Sequence, residues 1–301
     1  MSEKVLILLS TYNGEKYLEE QLNTILNQTT EEISVSIMIR DDGSSDNTIK
    51  IINKYINDYD CIKLIKGKNL GPALSFRELI NLADETYSFY AFADQDDIWV
   101  KGKIEAAVKK MRCGDKTIPQ LWYSAALKKY ENNNKEEYFF CNLKRAYDFK
   151  AVIETFATTN GCSMVFNNRL FQILKEIPMG IVDMHDSWVH AMCLACGGKI
   201  YADQNIYVIY RMHASQVLGS KKKTIKNFRN VCKKNNKRSN TVRLMLKSKW
   251  IENEKRKYLV HIERYEYNWK DKLTILFSKK PKNISYKEHF KFKTQIILNR
   301  Y

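Results

Sequence analysis

Tyr87-Ser88-Phe89-Tyr90-Ala91-Phe92-Ala93-Asp94-Gln95-Asp96-Asp97 is an apolar run that stops at three carboxylates within four residues. A short, nearly continuous apolar stretch of this kind reads as a strand buried on both faces, as in parallel sheets covered by helices. Three like charges so close together repel and raise one another's pKa unless a cation sits among them. Hard oxygen ligands in this arrangement suit Mg²⁺ or Mn²⁺. The plainer alternative is a solvated acidic turn before the helix expected near Lys101, so the surrounding sequence has to decide.

Working towards the amino terminus, Val5-Leu6-Ile7-Leu8-Leu9 is a second continuous apolar run, followed by the loop Ser10-Thr11-Tyr12-Asn13-Gly14. Tyr17, Leu18, Leu22, Ile25 and Leu26 then recur at helical spacing. Residues 33–39 alternate as a strand and end in Arg40-Asp41-Asp42-Gly43-Ser44-Ser45-Asp46. A helix carrying Ile49, Ile52 and Ile56 follows, then a strand over Ile62 to Ile65, the loop Asn69-Leu70-Gly71-Pro72, and a helix through Leu82. Four strand–helix alternations at short spacing predict a parallel sheet with helices on both faces. Ligands of such sheets bind beyond the carboxyl ends of the strands. That geometry would gather Thr11-Tyr12-Asn13, Asp41-Asp42 and Asp94 to Asp97 into one cleft. Tyr12 offers a ring to stack on a base, and Asp42 or Asp41 can accept from the N–H of a pyrimidine.

Beyond residue 118 the pattern loosens. Leu121 to Leu127 and Tyr138 to Cys141 read as antiparallel strands around a polar turn, Gly161 to Phe166 as a strand and residues 186–196 as a helix. Ile200 to Tyr210 reads as a strand ending at Arg211-Met212-His213. From Gly219 the composition shifts to Lys, Arg and Asn.

Charge divides the same way. The chain of 301 residues carries +16, yet residues 219–301 hold 25 Lys and Arg against 6 Asp and Glu. The remainder is slightly acidic, at −3. A near-neutral body with a basic tail is a different object from a uniformly basic nucleic-acid binder. No run reaches the ~18 apolar residues of a membrane span, and the first residues lack the flanks of a signal peptide, so a cytoplasmic location is expected. The seven cysteines, odd in number and scattered, read as reduced thiols. The lone Cys193-Leu194-Ala195-Cys196 lacks the second ligand pair of a zinc site.

The polar clusters together resemble the family 2 glycosyltransferases. Ser10-Thr11-Tyr12-Asn13, Asp41-Asp42-Gly43-Ser44-Ser45-Asp46-Asn47-Thr48, Asn69-Leu70-Gly71 and Asp94-Gln95-Asp96-Asp97-Ile98-Trp99 stand in that family's order and spacing. The resemblance continues through Asn160-Gly161-Cys162-Ser163-Met164-Val165-Phe166-Asn167, His185-Asp186-Ser187-Trp188 and Tyr210-Arg211-Met212-His213, covering about residues 4–219. The form with Asp-Gln-Asp-Asp-x-Trp, His-Asp and Tyr-Arg-x-His is similar to a bacterial rhamnosyltransferase-like branch.

The resemblance implies the GT-A fold, a Rossmann-like, mostly parallel sheet with helices on both faces, here with a basic helical C-terminal appendage. It implies a catalytic domain over 1–218, with a nucleotide-sugar half of about 1–118 and an acceptor half of about 119–218, then the region 219–301. It implies an inverting transfer that depends on Mn²⁺ or Mg²⁺, from dTDP-rhamnose or a UDP-hexose to a lipid-linked or polymeric surface glycan such as capsule or cell-wall polysaccharide. Asp94, Asp96 and His213 would hold the metal, with Asp96 the direct ligand. Thr11, Tyr12, Asn13, Asp41, Asp42, Asn69, Gly71, Asp94 and Gln95 would surround the donor, and Arg211 would balance its diphosphate or, equally, serve the structure. Asp186 would take the proton of the acceptor hydroxyl. Taken alone, Asp186 reads first as an acid favoured at a helix N-terminus, and His185 and His190 carry no comparable claim. Processive synthases of this family have a Gln-x-x-Arg-Trp motif and several spans, both absent here, so addition of one or a few sugars is expected.

In the tail, Lys221-Lys222-Lys223 and Lys233-Lys234 accompany Phe228, Leu244, Leu246, Trp250, Tyr258, Leu259, Trp269, Leu273, Leu276 and Phe277. That mixture suits helices that pack on the body and rest on an anionic membrane at the inner face of the cell. A solvated appendage and an oligomer contact are the alternatives. Nucleic acid is disfavoured by the absence of a binding motif. A non-catalytic binding protein on an α/β body and a nucleotidyltransferase are the competing functions, the latter lacking a Gly-rich triphosphate loop.

Overall fold

The computed structural model describes residues 2–133, 135–140, 143–156, 160–213, 237–299 and 301. The amino-terminal alternation becomes β1 (Glu3–Thr11), α1 (Leu18–Leu26), β2 (Ile33–Asp41), α2 (Thr48–Asp58), β3 (Ile62–Lys66), α3 (Pro72–Leu82) and β4 (Phe89–Asp94). These four strands pair in parallel in the order β3-β2-β1-β4, as the apolar runs predict.

The second half adds β5 (Ile98–Trp99), α4 (Lys103–Arg112), β6 (Gln120–Tyr130), β7 (Glu136–Phe139), α5 (Leu143–Ala146), α6 (Phe149–Thr155), β8 (Met164–Asn167), α7 (Asn168–Lys175), α8 (His185–Ala195) and β9 (Lys199–Met212). Among the described residues the sheet has nine strands in the order β3-β2-β1-β4-β8-β6-β9-β5, with β7 on β6. β8 runs antiparallel to both β4 and β6, so the parallel run breaks there. The expected hairpin exists, with Ala126 facing Phe139. The strand expected from Gly161 begins only at Met164, because residues 161–163 form a 3₁₀ turn. Helices α5, α6 and α7 lie where the sequence pattern marks no element. Two of them carry readable caps: Asp148 accepts from the Ala151 amide and Asn167 from the Leu170 amide.

Strand β1 shows how the sheet divides the core. Val5, Ile7 and Leu9 face a cluster with α1, α2 and α4, while Leu6 and Leu8 face a cluster with α3, α6, α7 and α8. Successive residues of a strand point to opposite faces, so a strand covered on both sides must be apolar throughout.

The tail forms α9 (Lys237–Met245), α10 (Asn253–Arg264), α11 (Trp269–Leu276) and α12 (Tyr286–Ile297). Val242, Met245, Leu259, Ile262, Ile275, Phe292 and Ile296 join the second of the two clusters. These helices therefore share the body's core. Glu154 of α6, itself buried, accepts from Tyr258 Oη at 3.2 Å and lies 2.7 Å from His289 Nδ1. Tyr258 and Leu259 belong to the side that packs on the body: both are buried, Tyr258 beside Phe149 and Glu154 of α6. Leu244, Leu246 and Leu276 also lean on the core, while Trp269, Leu273 and Phe277 are exposed. The boundary at 219, Lys221 to Lys223, Phe228, Lys233 and Lys234 lie outside the described residues. No helix among the described residues is long and apolar enough to cross a membrane.

Candidate active site

The register of the parallel strands sets the site. Ser10 of β1 stands between Arg40 of β2 and Asp94 of β4, and Thr11 stands beside Asp41. Each strand thus delivers its polar end to the same edge. A cavity of about 600 Å³ opens there. Thr11, Tyr12, Asn13, Asp42, Asn69, Gly71, Asp94, Gln95, Asp96, Asp186 and His213 all line it. Of the residues expected in the site, Asp41 and Arg211 do not.

The wall formed by the first loops is tied by side chains. Gln95 clamps the Tyr12 backbone twice, accepting from its amide at 2.8 Å and donating to its carbonyl at 3.0 Å. Gly14 leaves room for that clamp, since a Cβ there would strike the Gln95 side chain. Asn13 takes a left-handed φ of 48°, which asparagine tolerates. Its amide donates to Ser44 Oγ at 2.9 Å and its Oδ1 accepts from the Ser45 amide at 2.9 Å. The Tyr12 ring is left about half exposed, at 48%.

Asp42 and Asp41 do different work. Asp42 is ion-paired with the buried Arg40 and accepts from the amides of Leu70 and Gly71, each at 2.8 Å. It therefore positions the Asn69-Leu70-Gly71 loop while bordering the cavity. Gly71 adopts φ 79°, which suits glycine. Asp41 turns back to accept from the Ser44 amide at 2.9 Å. That bond closes its own turn, and of the two aspartates only Asp42 borders the cavity.

The floor is acidic. Burial, then the charges of Asp96 and Asp186, push the Asp94 carboxyl up to about 7. Burial, then Asp94 and Asp96, hold Asp97 well above the usual carboxylate range. Asp97 lies behind the floor instead of in the cavity, with its carboxylate, that of Asp94 and the Cys162 thiol within 4.8 Å of one another. Among the described residues a buried cation opposes them. Lys103 is fully buried, its ammonium 3.2 Å from the centre of the Trp99 ring and donating to the Cys162 carbonyl. Burial lowers its pKa to about 7. On the cavity side His213 Nε2 lies 2.9 Å from Asp96 Oδ2. Converging carboxylate oxygens, raised pKa values and an adjacent imidazole fit a hard divalent cation. Asp94, Asp96 and His213 are the members of that group that line the cavity.

Arg211 points elsewhere. Its guanidinium pairs with Glu20 of α1 and lies 5.1 Å from the Tyr17 ring centre. It borders a smaller neighbouring cavity with Glu20, Lys129 and Glu131. The Glu20 carboxylate holds it there, in keeping with the structural alternative for this residue.

Opposite the acidic floor, Asp186 opens α8 and lines the cavity. The Ser187 amide donates to its Oδ1 at 2.6 Å. Burial outweighs that bond and raises the carboxyl to about 6. Its neighbour His185, for which the sequence alone makes no case, also lines the cavity. The His185 ring stacks on Phe76 with centroids 3.9 Å apart, and neither ring nitrogen has a hydrogen-bond partner among the described residues. Burial lowers its pKa to about 3, so it stays neutral.

Comparison with known proteins agrees with this arrangement. The family model for glycosyl transferase family 2 matches residues 6–173. Among curated relatives, dTDP-rhamnosyl transferase RfbG of Shigella flexneri is 27% identical over 230 residues, covering 70% of this chain and 74% of its own. Abequosyltransferase RfbV of Salmonella typhimurium is 33% identical over 103 residues, covering 34% and 28%. Among solved structures, S. aureus TarS 1-349 with UDP-GlcNAc superposes with a TM-score of 0.59 at 16% identity, covering 99% of this chain and 82% of that one. The mannosyltransferase PcManGT of Pyrobaculum calidifontis, solved with GDP-Man and Mn²⁺, gives 0.52 at 16%, covering 99% and 85%. The fold they share with this chain is the GT-A arrangement. The chain belongs to glycosyl transferase family 2, and the protein is a glycosyltransferase.

Proposed function

We propose that this enzyme is an inverting, cation-dependent and non-processive transferase that moves rhamnose from dTDP-rhamnose to a lipid-linked or polymeric surface glycan. UDP-hexoses are the next donors to consider. The observation that carries the reading is the convergence of Asp186 with Asp94, Asp96 and His213 on one cavity from opposite halves of the chain. The relative named a dTDP-rhamnosyl transferase, aligned over most of both chains, supports the choice of donor.

In this reading residues 1–118 handle the nucleotide-sugar, 119–218 the acceptor, and 219–301 complete the core. Tyr12 stacks on the base, and the loops of Asn13, Asn69 and Gly71 shape the nucleotide pocket. Asp94, Asp96 and His213 hold Mg²⁺ or Mn²⁺, which when bound neutralises the diphosphate leaving group. Asp186 accepts the proton of the acceptor hydroxyl as its oxygen bonds to the anomeric carbon. The bond from that carbon to the diphosphate breaks on the opposite face, which inverts the configuration. A carboxyl held at about 6 is mostly ionised near pH 7 and is a stronger base than an ordinary aspartate. Family membership displaces the two competing functions, a non-catalytic binder and a nucleotidyltransferase.

The test is a donor panel with purified protein and Mn²⁺ or Mg²⁺: dTDP-rhamnose, UDP-glucose, UDP-galactose and UDP-N-acetylhexosamines. Asp96→Ala and a chelator are the controls. Cation-dependent binding and release of dTDP support the reading. Turnover of a UDP-sugar alone reassigns the donor. No cation-dependent binding of any nucleotide-sugar overturns it.

A further inference from the structure

The last two helices present an outer face unlike the rest of the surface. They run antiparallel: Lys272 Nζ, early in α11, donates to the Ile297 carbonyl at the end of α12 at 3.0 Å. Lys293 Nζ donates to the Ser278 carbonyl just beyond α11 at 3.0 Å. Ile275, Phe292 and Ile296 are turned inward and buried. Away from that buried side, Trp269, Leu273 and Phe277 recur four residues apart, as do Tyr286 and Phe290. Spacing of four keeps side chains on one helix face. Phe277 and Tyr286 are each 82% exposed, Phe290 73% and Trp269 67%. Single exposed apolar residues are ordinary, but a group of them on adjoining helices marks an interaction surface.

The charges around this group are one-sided. Residues 267–301 contain eight lysines and Arg300 against two acids, Asp271 and Glu288. Both acids are engaged within the protein. Asp271 lies 2.6 Å from His261 Nδ1, and Glu288 pairs with Arg145 at 2.8 Å. Lys270, Lys279, Lys282, Lys287 and Lys291 remain exposed among the aromatic residues. The Lys280 ammonium lies 5.0 Å from the Tyr286 ring centre.

We infer that the α11–α12 face docks the enzyme on an anionic lipid bilayer. Amphipathic rings settle at the headgroup level, aliphatic tips enter the acyl boundary, and lysines are drawn to anionic headgroups. Leu273 and Ile297 suit acyl chains and offer no ring to stack on bases. A second copy of the same face would bring unopposed lysines against lysines, which disfavours self-association. This inference stands apart from the choice of sugar and from the catalytic roles proposed above.

The experiment is co-sedimentation of the full chain with vesicles of phosphatidylcholine alone or enriched in phosphatidylglycerol. One variant combines Trp269→Ser, Phe277→Ser, Tyr286→Ser and Phe290→Ser. A second combines Lys279→Ser, Lys282→Ser, Lys287→Ser and Lys291→Ser. A control combines Lys221→Ser, Lys222→Ser and Lys223→Ser. Circular dichroism checks that each stays folded. Wild type should bind the anionic vesicles in a salt-sensitive way. The lysine variant should bind about 600-fold more weakly, at about fivefold per lysine, and the aromatic variant should fall to the phosphatidylcholine level. The inference is overturned if wild type ignores anionic vesicles, or if binding survives both variants and is lost only in the control. It is overturned equally if the two variants abolish a dimer, or binding to single-stranded DNA, and leave vesicle binding intact.

Discussion

Replacing Asp186 by Asn moves stability and activity in opposite directions. In the folded chain its carboxyl titrates at about 6 instead of 3.8, chiefly through burial. That displacement corresponds to ~3 kcal/mol, at about 1.4 kcal/mol per pH unit. The sign follows from proton counts. Between pH 3.8 and about 6 the folded chain keeps a proton that the unfolded chain has released, so stability falls as pH rises through that window and stays lower above it. Asparagine cannot ionise and escapes the fall. At about pH 8, without metal or donor, Asp186→Asn should therefore be more stable than wild type by up to ~3 kcal/mol, or roughly 5–10 °C in Tm for a chain of this size. At about pH 4 the two should nearly coincide. Activity goes the other way: losing a positioned general base costs about 10²–10⁴-fold in kcat. In wild type, kcat/KM should decline about tenfold per pH unit below the Asp186 titration. Denaturant unfolding at both pH values and nucleoside-diphosphate release across the pH range give the two readouts. If the variant is less stable than wild type at high pH, the burial argument is wrong. If it keeps catalysis within about tenfold, Asp186 is not the base.

Contacts around the cavity and within the tail carry four further outcomes. Mn²⁺ should raise the Tm of wild type but not of Asp96→Asn or His213→Ala, and both variants should lose cation-dependent turnover. Asp42→Ala strands the buried Arg40 and frees the Leu70 and Gly71 amides, so it should cost about 3–5 kcal/mol in denaturant unfolding and raise the donor KM. Arg211→Gln should leave the donor KM unchanged, and a rise above about tenfold would place Arg211 against the diphosphate. Leu259→Ala should destabilise the whole chain in a single transition by about 2–5 kcal/mol, whereas a separately melting tail would contradict a shared core.

The parallel half was readable because its strands are covered on both faces. Val5 to Leu9 and Phe89 to Ala93 have no polar alternative to burial, and the residues immediately after them must lie at the carboxyl edge. The same logic brought Thr11, Asp42, Asp94 and Asp96 together. The features that stayed hidden depended on contacts distant in sequence. Nothing near Arg211 reveals that Glu20, nearly two hundred residues earlier, would hold its guanidinium. Asp41 and Asp42 are chemically identical neighbours, and the strand's alternation sends only Asp42 to the cavity. Tyr258 and Leu259 looked like the rest of a basic tail until α10 packed against the body. His185 was invisible for a related reason: its place between Phe76 and Phe92 comes from tertiary packing alone.

The lone ammonium behind the floor has a kinetic consequence. Lys103 can offset one charge, and burial keeps protons on Asp94 and Asp97 while no cation is bound. A divalent cation has to displace those protons before a diphosphate finds a positive partner at the floor. Under the proposed chemistry, the species that binds productively is the one-to-one complex of cation and nucleotide-sugar. Initial rates should then follow the concentration of that complex, and excess free donor should contribute nothing to turnover. The order of addition would be written in the arithmetic of charge at the cleft floor, before any sugar is recognised.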